Sequence, residues 1–243
     1  MYIGELITGI YRGAWVAVLL LASNSILAGP IARATSRLPE IPAPPQARVE
    51  WIAQSMRMNG LPMTLQRFES SQPVEAMFAH YARWWSTTDA GAHGVSRMLQ
   101  RGEWKILALT SPELHITIGA KQRGGGSEGN VAVSRNPSSI EPSTSTSFPH
   151  PRTTRVVNLQ EYEDARASAE HISFMSARSV SMEAHKFREL LTDRGWVINR
   201  EQGMQSNARG HILEAQKGAN LAHLTFQPAL PSGSSIIVIW RKG

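Results

Sequence analysis

Self-similarity at a fixed distance restricts the folds open to a chain more than its composition does, and this chain repeats at 106 residues. Phe68-Glu69-Ser70 leads to Val74, Phe78, Tyr81, Trp84 and Trp85. Phe174-Met175-Ser176 leads to Val180, Ala184, Phe187, Leu190 and Leu191, each member 106 positions further on. Steps of 4, 7, 10 and 11 from either valine put these side chains on one stripe of an α-helix. Each half therefore predicts a helix with one buried face. Pro73 stands near the first helix start, where proline is tolerated, and Ser179 or Ser181 offers a cap to the second. Gly195 reads as a stop.

Around these helices the period changes to two. Ile116 and Ile118 alternate with His115 and Thr117, and Leu224 and Phe226 with His223 and Thr225, the pattern of a sheet with one covered face. Strands are predicted at 104–109, 114–120 and 129–134, and again at 196–200, 211–216, 221–227 and 235–241. Asn59-Gly60 between apolar alternations predicts a hairpin. The glycine-rich stretch from Gln122 to Gly129 lacks the Lys-Ser/Thr of a phosphate loop and reads as a long hairpin loop. The expected fold class is α+β: two tandem modules, each a helix packed on a small antiparallel sheet, preceded by a signal peptide.

The boundaries follow from composition. Residues 136–154 are mostly Ser, Thr and Pro without periodicity, a flexible linker with nothing to bury in a core. They separate module 1 at 47–135 from module 2 at 155–243. Residues 29–46 contain Pro39-Glu40-Ile41-Pro42-Ala43-Pro44-Pro45, which reads as an extended stem. In residues 1–28, Arg12 precedes an apolar run from Ala14 to Ala22 that falls short of the roughly 20 residues a membrane span needs. A signal peptide cut after Ala28 fits, Ala32-Arg33-Ala34 offers a second cut, and an uncleaved anchor is the alternative. Either places the remainder outside the cytoplasm, periplasmic or secreted, with no transmembrane segment after signal cleavage.

The order of elements, with Val180-Ser181-Met182-Glu183-Ala184, Phe187, Leu190-Leu191 and Gly195-Trp196 in one half and Pro73-Val74-Glu75-Ala76, Tyr81 and Trp84-Trp85 in the other, resembles a small α+β module of bacterial periplasmic proteins and lipoproteins. That resemblance implies a non-enzymatic envelope or secretion-associated component. It carries over no site residues.

Chemistry is sparse. With no cysteine there are no disulfides, thiolate metal sites or thiol nucleophiles. The formal charge of +6 is spread: residues 47–135 carry ten basic and seven acidic side chains (+3), residues 155–243 eleven and nine (+2). Nucleic-acid binding calls for a one-sided basic stripe, so no nucleic-acid partner is expected. None of the eight histidines (80, 93, 115, 150, 171, 185, 211, 223) forms His-x-x-x-His; His115 and His223 are expected to face solvent, and a meeting of His211 and His223 across a hairpin would give only an incomplete two-ligand site. Glu161, Glu163 and Asp164 could be a hydrolase's paired carboxylates but read as a solvated helix start. Trp84-Trp85 read as core, while Trp240 and Trp51 are the aromatics best placed for a partner. No catalytic, cofactor-binding or metal site is expected. The expected function is an exported non-enzymatic envelope protein acting by protein–protein contact, with a secretion, pilus or envelope assembly as the candidate partner. A periplasmic small-ligand or glycan-binding protein is the second reading, and a hydrolase with an unrecognised site the third.

Overall fold

A computed structural model describes residues 38–136, 143–163, 168–203 and 210–243. The signal-peptide assignment at 1–28, part of the stem, residues 137–142 of the linker and Asp164 lie outside them. The first half runs β1 (Ala47–Met58), β2 (Leu61–Ser70), α1 (Val74–Ser86), the one-turn α2 (Asp89–Ala92), β3 (Val95–Arg101), β4 (Trp104–Thr110), β5 (Leu114–Arg123) and β6 (Gly126–Arg135). The second runs β7 (Thr154–Glu163), β8 (Ser168–Ser176), α3 (Val180–Asp193), β9 (Val197–Gly203), β10 (His211–Lys217), β11 (Asn220–Pro228) and β12 (Ser234–Lys242).

All twelve strands join one antiparallel sheet in the order β3-β4-β5-β6-β2-β1-β7-β8-β12-β11-β10-β9. The expected α+β fold of two small helix-on-sheet modules is thereby corrected to a largely β fold on one continuous sheet. Two causes account for the miss. β1 and β7 pair with each other, and nothing in either strand's alternation announces a partner 100 residues away. β3 is wholly exposed and carries no apolar alternation to count, so it is absent from the expected strands, whereas β9 extends the strand expected at 196–200.

Each helix covers one patch of the sheet. α1 starts after Pro73 at φ −66°, and α3 after Ser179, whose hydroxyl accepts from Met182 N. Gly195, at φ 78°, ends the exit from α3 by donating its N–H to Thr192 O at 2.9 Å. Beneath α1 lies a core including Phe68, Tyr81, Trp85, Leu109, Ile116 and Ile118. Beneath α3 lies a second, including Phe174, Phe187, Leu213, Leu224, Phe226 and Val238. Tyr81 and Phe187, 106 residues apart, are 1% and 0% exposed. Burying a side chain of that size contributes on the order of 1.5–3 kcal/mol.

Both cores are closed by a proline-rich arm. Ile41-Pro42-Ala43-Pro44 precedes Arg48-Val49, and Phe148-Pro149-His150-Pro151 precedes Arg155-Val156, at an offset of 107. Ile41 is buried against the first core and Phe148 against the second, its ring centroid 5.8 Å from Trp196 and 5.4 Å from Trp240. Two buried carboxylates hold the second arm. Thr146 Oγ1 donates to Glu170 Oε2 at 2.7 Å, and Thr153 Oγ1 to Glu183 Oε2 at 3.2 Å. Ser176 Oγ donates to the other Glu183 oxygen at 2.8 Å, and Lys242 pairs with Glu170. Residues 143–153 thus do contain core, contrary to the composition-based reading, because an average over Ser, Thr and Pro hides one phenylalanine.

The glycine-rich stretch is also corrected. β5 runs to Arg123 and β6 starts at Gly126, so the turn is Gly124-Gly125 alone. A Cβ on Gly126 would lie 2.1 Å from Ser70 O, and one on Gly129 would lie 2.6 Å from the Phe68 ring. These glycines let strands and a core ring approach one another. Asn59-Gly60 does turn the β1–β2 hairpin, at φ 52° and 79°.

The halves meet along a short seam. Met56 pairs with Tyr162, Arg57 with Glu161 and Met58 with Gln160. Asn59 extends it: its N–H donates to Leu159 O at 2.7 Å, and its Oδ1 accepts from Leu159 N at 2.8 Å. Met56 and Tyr162 are themselves 106 residues apart, so the seam's first pair joins positions related by the sequence offset. Ala53, Met56 and Leu65 are buried here, Leu65 on the sheet face opposite Phe68. Tyr162 Oη donates to Gln160 Oε1 at 2.7 Å.

Candidate functional site

A continuous sheet of this kind leaves two outer edges, β3 and β9, and chemically they differ. β3 reads Val-Ser-Arg-Met-Leu-Gln-Arg and all seven residues are exposed. It is one arm of a hairpin turned at Gly102-Glu103, with Arg101 opposite Trp104 and Leu99 opposite Ile106. Its apolar side chains have nothing to cover them: Val95 is 71% exposed, Met98 54% and Leu99 50%. Arg97 and Arg101 make no hydrogen bond or ion pair with any described residue. Val95, Arg97, Leu99 and Arg101 share the face away from α1, because their partners alternate with the core residues Leu107 and Leu109.

On β9 the polar groups are already engaged. Arg200 pairs with Glu214 at 3.6 Å and donates to Gln202 at 2.6 Å, while Glu201 meets His211 at 3.0 Å and Arg188 of α3 at 3.7 Å. Asn199 donates to Gln216. Val197 alone is a strongly exposed apolar residue on this edge. Strand edges are open hydrogen-bonding templates. Only β3 combines that template with uncovered apolar groups and unpaired charge.

A concavity of about 320 Å³ lies at the end of the second core. Trp196, Trp240, Ser147, Pro149, Arg194, Lys217 and Asn220 line it, and Lys217 Nζ donates to Arg194 O at 2.7 Å. The lysine and the phenylalanine-bearing arm fill its neighbourhood. Trp240, expected to be available to a partner, is buried against Phe148, whereas Trp51 on β1 is 44% exposed. Trp85 is buried and Trp84 half-buried.

The remaining sequence candidates are dispersed. His115 lies on the face away from α1 but is half-buried there: its ring lies between Thr110 Oγ1 at 2.8 Å and Thr117 Oγ1 at 3.1 Å, and burial holds its pKa below the usual histidine value. His171 is likewise depressed by burial, and the neighbouring Tyr162 hydroxyl, 5.6 Å away between ring centroids, is pushed up to about 12. His211 and His223 do not meet. His211 sits opposite Phe226 on the core side, and His223 sits opposite Glu214 on the other face. Glu161 and Glu163 belong to β7, not to a helix start. No group of three or more potential metal ligands occurs among the described residues. No helix there is long and apolar enough to cross a membrane.

Sequence reasoning missed three features. β3 itself gave no periodic signal. The arms could have been found from the shared Pro-x-Pro and Arg-Val at offset 107. The buried Glu170 and Glu183 have no signal, since the offset of 106 sets Thr64 and Met77 in their places. Comparison with protein-family models, curated proteins and solved structures finds no match.

Proposed function

We propose that this protein is a non-enzymatic interaction component that engages another protein through the open edge of β3. The observation that carries the reading is the contrast between the two sheet ends: β3 presents a free strand edge, three exposed apolar side chains and two arginines that are unpaired among the described residues, while the polar groups of β9 are internally engaged. An extended segment added to such an edge gains main-chain hydrogen bonds, and its alternate side chains give specificity. The apolar–basic leader around Arg12 supports export, so the partner belongs to the periplasm or cell envelope, in line with the periplasmic module that the sequence resembles. Tandem duplication of one ancestral unit accounts for the repeated order of elements, the matched arms and the buried residues at offset 106.

A photo-crosslinking amino acid placed at Met98 tests this in the producing cell, with the same group at Val197 as control. The expected result is a discrete protein adduct in the envelope fraction from position 98 and none from 197. Native mass spectrometry finding a retained glycan or metabolite, with no adduct at 98, would favour the small-ligand reading, whose site would be the concavity at Trp196 and Trp240.

A further inference from the structure

The chemistry of β3 also specifies what kind of segment it takes. We infer that β3 accepts an extended acidic–apolar peptide segment of another protein as a thirteenth antiparallel strand, its carboxylates meeting Arg97 and Arg101 and its apolar side chains meeting Val95 and Leu99. The inference rests on the proposed protein-contact role and narrows it to one partner chemistry.

Charge decides the occupant. In a strand, residues four apart on one face lie about 13 Å from each other. Arg97 and Arg101 therefore form two separate positive points with Leu99 between them. A facing strand reaches both with carboxylates spaced by four residues, and the position between falls on Leu99, whose in-sheet neighbour is Ile106. Directly opposed side chains in an antiparallel pair are about 4.5–5.5 Å apart, close enough for each arginine to engage a carboxylate.

The same arrangement rejects the other candidates. Antiparallel self-pairing of two β3 strands about Leu99 sets Arg97 of one copy against Arg101 of the other, twice, and opposed like charges destabilise a strand pair, while pairing about Met98 sets Arg97 against Leu99 and Arg101 against Val95 and leaves all four arginines without a counter-charge. β9 of a second copy offers a single carboxylate, Glu201, already engaged by His211 and Arg188. Edge charges of this sort protect a sheet from its own kind. They leave it open to a strand of opposite sign.

The test uses the whole protein and two synthetic peptides of nine residues, Val-Thr-Glu-Thr-Val-Thr-Glu-Thr-Val and the same sequence with lysine in place of glutamate, so that charged and apolar side chains alternate along one face. Binding is read by fluorescence anisotropy at low and moderate salt. The glutamate peptide is expected to bind at least roughly tenfold more tightly than the lysine peptide, the product of two favourable against two unfavourable pairs, and to weaken as salt rises. The double change Arg97→Glu with Arg101→Glu should invert the preference, which simple misfolding cannot do. Met98→Pro, which removes an N–H that faces the open edge because Arg101 and Trp104 close the hairpin as a hydrogen-bonded pair, should abolish binding of both peptides while the circular dichroism spectrum stays that of the parent.

Equal affinity for the two peptides, or a preference unchanged by the charge reversal, overturns the inference. So does a dimer in sedimentation that Met98→Pro dissolves, which would make a second copy the occupant, or binding of anionic vesicles with neither peptide bound. The two levels fail separately. A position-98 adduct without peptide discrimination removes the acidic chemistry and keeps the protein-contact role, whereas absence of the adduct removes the role itself.

Discussion

Phe148 separates two views of residues 143–153, since a free linker does not notice its loss and a core-closing arm does. The side chain is 2% exposed and lies between Trp196 and Trp240, at centroid distances of 5.8 and 5.4 Å. Truncating a buried phenylalanine to alanine costs about 3–5 kcal/mol. Each aromatic pair is worth roughly 0.5–1.5 kcal/mol beyond its buried area, and two of them place Phe148→Ala in the upper part of that range. With an m-value of roughly 4 kcal/mol/M in guanidinium chloride, a loss of about 4 kcal/mol lowers the midpoint by about 1 M. Equilibrium titration followed by tryptophan emission measures this directly, because Trp196 and Trp240 flank the deleted ring. Ser145→Ala, an exposed change in the same segment, should stay within about 0.5 kcal/mol of the parent. A loss below about 1 kcal/mol for Phe148→Ala would mean that the ring anchors nothing and the segment is a linker after all.

Glu183→Ala should destabilise by about 2–3 kcal/mol, since it strips the acceptor from the hydroxyls of Ser176 and Thr153; thermal unfolding that does not move would show the two hydroxyls finding other partners. Gly129→Ala forces a methyl to 2.2 Å from Gly119 O as well as against the Phe68 ring and should lower the first half's stability by about 1–3 kcal/mol, and Phe68→Leu should relieve only the ring's share of the strain when combined with it. His115 and His171 have pKa values lowered by burial from 6.5. They stay neutral in the folded chain while the unfolded chain protonates near pH 6.5, so their stabilising share is full above about pH 6.5 and is lost as pH falls through their lowered folded values. The denaturation midpoint should drop between roughly pH 7 and pH 5, less steeply in a His115→Gln, His171→Gln double variant; identical slopes would exclude these two groups as the cause.

The legible part of the fold was whatever one stripe or one face could reveal. The positions of Tyr81 and Phe187 followed from helical spacing, and Ile116, Ile118, Leu224 and Phe226 from strand alternation, because each is decided by burial against its own half. Pairing of β1 with β7 depends on two edges whose residues, from Met56 to Met58 and from Gln160 to Tyr162, look no different from other strand residues. Register and partner choice are tertiary properties there, and propensity is silent on them. His115 was misread for a related reason. Alternation assigned it to the uncovered face, but neighbouring strands bring Thr110 to its ring and shield it. The candidate edge was the least legible element, since a strand exposed on both faces has no hydrophobic period at all.

The seam has a consequence for how such a molecule can exist. Each half by itself would be a six-stranded sheet with two raw margins, and the two halves together would have four. Joining β1 to β7 inside a single chain removes two of those margins permanently and at fixed local concentration. It also buries Met56 and Gln160, which a solitary half would present to its neighbours in solution. A severed half is therefore a sticky object, and cutting the chain between residues 137 and 142 should yield fragments that stay associated or precipitate. What covalent linkage gives this protein is a sheet twice as wide with no more exposed margin than either half would have alone.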